Sequence, residues 1–196
     1  MGAPRHRDRL FVAFDLPGAL RDELARAGRD LAARCGGRAV PAQNLHATVA
    51  FLGDVPAARV PDVAEALAAG DGPPAPVCVG ALRARPSASR ARLVTVDLDD
   101  PYGALAARWA PLAQAVRAAA GLDADPRPPW PHVTVVRLRR PARVDVRTGW
   151  YAPEQMFDLS RVTLYRSHLS HEGAPRYEPL AAVPAGAPGP GSGAAP

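Results

Sequence analysis

Hydrophobic and polar positions alternate near the start of the chain, over residues 9–16. A period of two predicts a half-buried β-strand, which the following Pro17 ends. Over residues 17–34 the apolar positions instead recur every three to four residues. This spacing predicts an amphipathic helix that ends at the glycine pair after it, Gly36 and Gly37. The chain therefore begins with a strand followed by a helix.

The same two periods predict the remaining elements. Further strands are predicted at 44–52, 77–85, 92–98, 132–138, 144–146 and 157–167, and further helices at 56–69 and 102–120. Most strands lie too close together for parallel crossover units, so we predict an α+β fold with antiparallel sheets. After Val183 the sequence contains only Ala, Gly, Pro and Ser. We predict one folded domain over 1–183 and a disordered tail over 184–196, because the tail has nothing to bury against the entropy of ordering.

A short repeat marks two of the predicted strands. His46-Ala47-Thr48-Val49 recurs 86 positions later as His132-Val133-Thr134-Val135. Successive side chains of a strand point to opposite faces, so each histidine projects together with the threonine two residues after it. Two copies at this separation predict two similar halves of one domain, related by pseudo-twofold symmetry around a cleft.

Composition and charge narrow the class of protein. The chain has 196 residues and a net charge of +5, and its 24 basic side chains are all arginine. This balance favours anionic partners such as nucleic acid, although a solvated arginine-rich surface would give the same numbers. Cys35 and Cys78 fit neither a disulfide framework nor a thiolate metal site. With no apparent signal peptide or membrane span, we predict a cytoplasmic protein.

Paired His-x-Thr strands suit phosphoryl chemistry. Two imidazoles with pKa values near 6.5 can act as acid and base at neutral pH, provided that one is charged while the other is neutral. Two threonine hydroxyls facing the same cleft can donate hydrogen bonds to the oxygens of a phosphoryl group as its charge builds. In-line displacement at phosphorus needs this arrangement of a base on the entering water and an acid on the leaving oxygen.

The sequence resembles a known family in four segments. It is similar to the 2H phosphoesterases, and within them to the bacterial RNA 2',3'-cyclic phosphodiesterases, also called 2'-5' RNA ligase or LigT-like proteins. The segments are RLFVAFDLP at 9–17, NLHATVAFLG at 44–53, PHVTVVR at 131–137 and VTLYRS at 162–167. The resemblance extends from Arg9 to Leu180. Ala47 stands where a larger apolar residue is common in the family, a change that removes no functional group.

The resemblance implies a bilobal fold, a metal-independent reaction without cofactor, and specific roles. The substrate would be an RNA end with a 2',3'-cyclic phosphate, opened by water to leave a 2'-phosphate. His46 would protonate the 3'-oxygen and His132 would activate the water, although the residues alone do not decide this polarity. Thr48 and Thr134 would bind the non-bridging oxygens.

Other side chains are candidates for substrate binding. By resemblance Arg137 would contact phosphate or base, but it is an odd number of residues from His132, so a bulge or the strand end must turn it into the cleft. Phe11 could stack on a base or simply pack in the core. Trp130 is expected at the cleft mouth. The arginines at 139, 140, 143 and 147 are expected to be a solvated loop face rather than an RNA track.

Three other functions stay open at this point. The enzyme could act on small cyclic nucleotides, or it could work in reverse as a weak 2'-5' RNA ligase. A module that binds RNA or nucleotide without turnover is a third, disfavoured because binding alone does not need a matched acid and base. Nothing outside the cleft indicates an obligate protein partner or a membrane.

Overall fold

One antiparallel sheet of nine strands organises the described part of the chain, which is residues 7–128, 130–146, 155–170 and 173–184 in the computed structural model. The strands are β1 (Arg7–Asp15), β2 (Arg38–Ala39), β3 (His46–Pro56), β4 (Ala75–Arg85), β5 (Ala91–Asp99), β6 (His132–Ala142), β7 (Met156–Leu159), β8 (Arg161–His168) and β9 (Arg176–Pro184). The α+β class with antiparallel pairing, predicted from the hydrophobic periods, is confirmed.

Eight of the nine strands form two four-stranded halves that meet at the two motif strands. Its order is β7-β4-β5-β6-β3-β1-β8-β9, and β2 pairs with β6. β3 and β6 are joined through the Cα pair Ala47 and Val133. Ser160 alone separates β7 from β8, although these strands belong to opposite halves. The sheet therefore curls until its two halves face each other, with the repeated motifs at the seam.

Three α-helices of the described residues cover the sheet: α1 (Gly18–Cys35), α2 (Val60–Ala66) and α3 (Ala104–Ala119). α1 packs against β6 and α3 packs against β3, so each motif strand is backed by a helix from the other half of the chain. Leu20, Leu24 and Leu31 form the buried face of α1, at the spacing that predicted the helix. Among the described residues, no helix is long and apolar enough to cross a membrane.

The prediction of one continuous helix over 56–69 is wrong in its bounds. β3 runs past Gly53 as far as Pro56, because Gly53 adopts a positive φ of 65° beside a register shift opposite β1. The helical segment that follows is a 3₁₀ turn at Ala57–Arg59, α2 itself, and a second 3₁₀ turn at Leu67–Gly70. Pro61 lies in the first turn of α2, where its missing N–H is not needed.

The late strands also differ from the prediction. Residues 144–146 form no strand; Val144 is buried in a loop, where its N–H donates to the Ala88 carbonyl at 2.8 Å. The segment predicted at 157–167 is two strands, β7 and β8. The sequence missed β2, which is two residues long, and β9, whose burial does not alternate. The predicted tail lies outside the described residues except for Pro184, the last residue of β9.

Candidate active site

One cleft over the seam of the sheet contains both motifs. Its volume is about 590 Å³, and its lining includes His46, Thr48, His132 and Thr134. Side chains alternate between the two faces of β3 and β6. Ala47 and Val133, which lie between the histidine and the threonine of each motif, therefore point into the core, where both are fully buried. Strand periodicity and the pairing of β3 with β6 thus bring together the four polar side chains that the repeat predicted.

Both histidines are held by the same hydrogen bond. Nδ1 of His46 lies 2.7 Å from the carbonyl oxygen of Asn44, and Nδ1 of His132 lies 2.7 Å from that of Trp130. A carbonyl oxygen can only accept, so in each ring Nδ1 carries the hydrogen. The neutral imidazoles therefore keep a free lone pair on Nε2. The two rings are thus held in the same way in one cleft, each with Nε2 able to accept a proton.

The surroundings of His46 are aromatic. Its ring centroid lies 4.9 Å from that of Phe11 and 5.4 Å from that of Tyr177. Burial lowers the pKa of His46 to about 4, and the positive charges of Arg137 and His132 act in the same direction. The hydrogen bond to Asn44 opposes this shift without cancelling it. His46 is therefore neutral in the free protein at pH 7.

His132 is covered by the indole of Trp130. The two rings are stacked with centroids 3.8 Å apart, and the Arg85 guanidinium lies 4.1 Å from the Trp130 centroid. Trp130 Nε1–H donates to Asp97 Oδ1 at 3.2 Å, while Asp97 Oδ2 accepts from Arg83 Nε at 2.7 Å. Burial lowers the pKa of His132, with Arg85 acting in the same direction and Asp97 against it. Trp130 thus contacts His132 directly rather than lining the cleft mouth.

A bulge turns Arg137 into the cleft. Along β6 the partner of Thr134 is Thr95 and the partner of Val136 is Val94, which leaves Val135 as the extra residue. An extra residue reverses the alternation of faces, so Arg137 lines the cleft despite its odd distance from His132. The position of Arg137 in the cleft therefore depends on this bulge, as its odd distance from His132 had predicted.

β3 contains an equivalent bulge, which turns a further residue into the cleft that the sequence analysis missed. Thr48 pairs with Ala13 and Ala50 pairs with Val12, so Val49 is the extra residue. Phe51 consequently lines the cleft at the position equivalent to Arg137, five residues after its motif histidine, with 69% of its surface exposed. Comparing the two repeats position by position would have indicated it.

Phe11 forms the floor of the cleft. It is 4% exposed, and its ring stacks on Tyr165 at 5.2 Å and meets the edge of Tyr177 at 4.8 Å. The hydroxyl of Tyr165 donates to Asp15 Oδ1 at 2.6 Å, which anchors this aromatic group to β1. Phe11 is therefore packed beside His46, and its stacking on a base stays a prediction. Phe51 offers the larger open aromatic surface.

The cleft is strongly basic. Four arginines line it, at positions 9, 38, 137 and 139, and its described lining includes no Asp or Glu. Basic side chains in a concave surface create a positive potential that attracts anions. In the described part of the chain, no group of three or more His, Cys, Asp or Glu is placed to hold a metal ion.

The sequence is similar to known phosphoesterases. The family described as LigT-like phosphoesterase matches residues 14–94. An RNA 2',3'-cyclic phosphodiesterase of Escherichia coli K12 is 31% identical over 172 residues, which cover 88% of this chain and 93% of that protein. A Geobacillus stearothermophilus protein of the same name is 27% identical over 91% of this chain, and this chain spans 57% of its length.

Solved structures share the fold. The crystal structure of apo E. coli LigT matches with a TM-score of 0.70 at 27% identity, covering 92% of this chain and 98% of that one. E. coli LigT in complex with 3'-AMP matches with a TM-score of 0.72 at 26% identity, covering 91% and 98% of the two chains. A Thermus thermophilus protein matches with a TM-score of 0.73 at 26% identity, covering 90% and 97%. Since sequence similarity and fold agree over almost the whole length, this chain belongs to the LigT-like, or 2H, phosphoesterase family.

Proposed function

We propose that this protein hydrolyses the 2',3'-cyclic phosphate at an RNA end to a 2'-phosphate, with His46 and His132 as its acid and base and without a metal or cofactor. The observation that supports this most is the matched pair of imidazoles, each oriented by a carbonyl on Nδ1 and each beside a threonine. The names of the E. coli and Geobacillus relatives support the substrate class.

In the proposed reaction, water attacks phosphorus opposite the ribose 3'-oxygen. His132 takes the proton of the water, and the P–O3' bond breaks as His46 donates its proton to that oxygen. Thr48 and Thr134 donate hydrogen bonds to the non-bridging oxygens, where charge builds in the transition state. Arg137 contributes positive charge nearby. A bound phosphate anion favours the charged imidazole, so it raises the pKa of His46 from its low value in the empty cleft.

The test is incubation of the purified protein, with chelator, with a short RNA ending in 2',3'-cyclic phosphate. Mass analysis and phosphatase treatment should show addition of one water and a 2'-phosphate product. His46→Ala and His132→Ala should each lower the rate by about 10²–10⁴-fold, and Thr48→Val or Thr134→Val by less. His168→Ala is the matched control, because His168 pairs with Glu178 at 2.6 Å and does not line the cleft. Loss of turnover on chelation, or nearly full turnover in either cleft histidine variant, would refute the mechanism.

The polarity of the pair can be tested separately. A substrate with sulfur in place of the 3'-oxygen has a leaving group that needs no protonation. It should restore turnover to the variant that lacks the acid, which we propose is His46→Ala, and not to His132→Ala. Rescue of His132→Ala alone would show that the roles are reversed.

Hydrolysis of small cyclic nucleotides is the second candidate. E. coli LigT has been crystallised with 3'-AMP and with NADP⁺, which shows that a relative accommodates nucleotides. The same assay with a mononucleoside 2',3'-cyclic phosphate addresses it. A weak 2'-5' ligase activity and a cytoplasmic location stay predictions of the sequence.

A further inference from the structure

We propose that Arg38 and Arg139 form a second phosphate-binding subsite, next to Arg137, for the phosphate on the 5' side of the terminal nucleotide. The inference rests on the proposed function and deepens it. With this subsite, the preferred substrate is an oligonucleotide rather than a single cyclic nucleotide.

The short strand β2 holds Arg38 in place. Arg38 pairs with Arg137 and Ala39 pairs with Val136, and the Val40 N–H donates to the Val135 carbonyl at 2.9 Å. The approach of the two chains is close, since a Cβ on Gly37 would lie 2.5 Å from a methyl group of Val136. Directly opposed residues of antiparallel strands have Cα atoms about 4.5–5.5 Å apart. Arg38 is thus a fixed neighbour of Arg137, and its side chain lines the cleft.

Arg139 extends the same group along β6. It follows Arg137 by two residues, a separation of about 6.6 Å along a strand, and it also lines the cleft. This step is comparable to the distance between neighbouring phosphates of a nucleic acid strand. The arginine cluster expected to be a solvated face is therefore divided: Arg139 lines the cleft, Arg140 and Arg143 do not, and position 147 lies outside the described residues.

Within the described residues, these arginines lack carboxylate partners. Ion pairs between arginine and a carboxylate there engage Arg83, Arg127, Arg161 and Arg166, none of which lines the cleft. Three neighbouring guanidinium groups repel one another, and an anion relieves this repulsion. The reacting phosphate already has two histidines, two threonines and Arg137. The charges of Arg38 and Arg139 are therefore available to a second phosphate.

The experiment compares kcat/KM for a mononucleoside 2',3'-cyclic phosphate and for a trinucleotide with the same terminus. Arg38→Gln and Arg139→Gln should each lower kcat/KM for the trinucleotide about tenfold, the loss expected for one charge-assisted hydrogen bond. The value for the mononucleotide should fall much less, because for that substrate the substitutions only weaken the positive potential of the cleft. Arg140→Gln is the matched control, because it removes the same charge from the adjacent position of β6 without touching the cleft.

A binding measurement separates this proposal from the function on which it rests. Affinity of each protein for the trinucleotide carrying a 2'-phosphate, measured against salt, should show a slope that falls by about 0.7 for each arginine removed. Equal losses on both substrates, or no loss on either, would overturn the subsite while hydrolysis stands. If no substrate is hydrolysed, the proposed function is refuted. The subsite is refuted as well if neither substitution changes the slope of affinity against salt.

Discussion

His46 and His132 make the same hydrogen bond but have different neighbours. His46 lies among Phe11 and Tyr177, whereas His132 lies under an indole that is itself bonded to Asp97. Burial lowers both pKa values, that of His46 to about 4. The pseudo-symmetric pair is thus chemically unequal, which is a condition for dividing the roles of acid and base between them.

The unequal pair predicts the pH dependence of the free enzyme. In the proposed mechanism the productive form has one charged and one neutral imidazole, and kcat/KM reports the pKa values of the free protein. Both values lie below the ordinary histidine value of about 6.5. We therefore expect a bell-shaped profile of kcat/KM with its maximum on the acid side of pH 6.5. A maximum above pH 7 would contradict the burial of the pair.

The low pKa of His46 also predicts a loss of stability in acid. Between about pH 6.5 and pH 4 the unfolded chain binds a proton at His46 that the folded chain does not, so stability falls as the pH falls through this window. The shift corresponds to about 3 kcal/mol of unfolding free energy. Urea unfolding at pH 7 and pH 4 should show a smaller loss in His46→Gln, whose side chain does not titrate. Equal losses in the two proteins would show that His46 titrates normally.

Trp130 should act as a positioning residue for His132. Trp130→Ala removes the stacked ring at 3.8 Å and admits water, so the pKa of His132 should rise towards its ordinary value. We expect kcat to fall more than KM changes, and the limb of the pH profile that belongs to His132 to move. Trp130→Phe should restore most of both, because the stacking remains. Trp109→Phe, a core indole 5.8 Å from Phe14, is the control and should leave the profile unmoved.

At the scale of elements, the two bulged strands and the helices behind them shape the cleft. The bulges at Val49 and Val135 turn Phe51 and Arg137 into it. α1 lies close behind the second bulge, since a Cβ on Gly28 would lie 2.9 Å from the Val135 carbonyl oxygen. The position of α1 therefore affects the strand that holds His132.

Gly28→Ala tests this contact. The new methyl group would contact backbone atoms that cannot rotate away. Overpacking of this kind costs about 1–3 kcal/mol of stability, which exceeds the gain in helix propensity from glycine to alanine. We expect lower thermal stability together with lower kcat/KM. Gly18→Ala in the same helix is the control, because its nearest atom is the end of the Arg21 side chain at 3.9 Å. Similar behaviour of the two variants would show that α1 can shift without disturbing β6.

At the scale of the whole molecule, a buried arginine forms hydrogen bonds with segments that are far apart in the sequence. Arg108 of α3 is 7% exposed and donates to the carbonyls of Gly70, Pro73 and Leu159 at 2.6–3.3 Å. Leu159 is the last residue of β7, immediately before Ser160, where the chain crosses between the halves of the sheet. Arg108 thus stabilises the crossing that curls the sheet.

Arg108→Met should destabilise the protein while leaving the cleft chemistry intact. The substitution removes the donor from the carbonyls of Gly70, Pro73 and Leu159, of which those of Gly70 and Leu159 are buried, and we expect a loss of about 3 kcal/mol or more. Thermal unfolding should occur at a clearly lower temperature, with kcat/KM close to wild type well below it. Arg29→Met on the exposed face of α1 should change stability by less than about 0.5 kcal/mol. If Arg108→Met unfolded at the same temperature as Arg29→Met, the hydrogen bonds of Arg108 would not contribute to stability.

The sequence by itself determined the features that depend on local periodicity. Alternation predicted both motif strands, the face shared by each histidine and threonine, and the α+β class, because neighbouring side chains of a strand take opposite faces wherever the strand lies. The resemblance in four short segments then led to the family. These features need no knowledge of which strands pair.

Only the tertiary structure decided what depends on pairing and register. The bulge at Val49 that exposes Phe51, the stack of Trp130 on His132, and the pairing of β2 that places Arg38 beside Arg137 all join residues that local patterns do not relate. β9 was missed because its half-buried edge position imposes no clear alternation. A one-residue change of register turns a side chain from core to cleft, and register is set by contacts far apart in the chain.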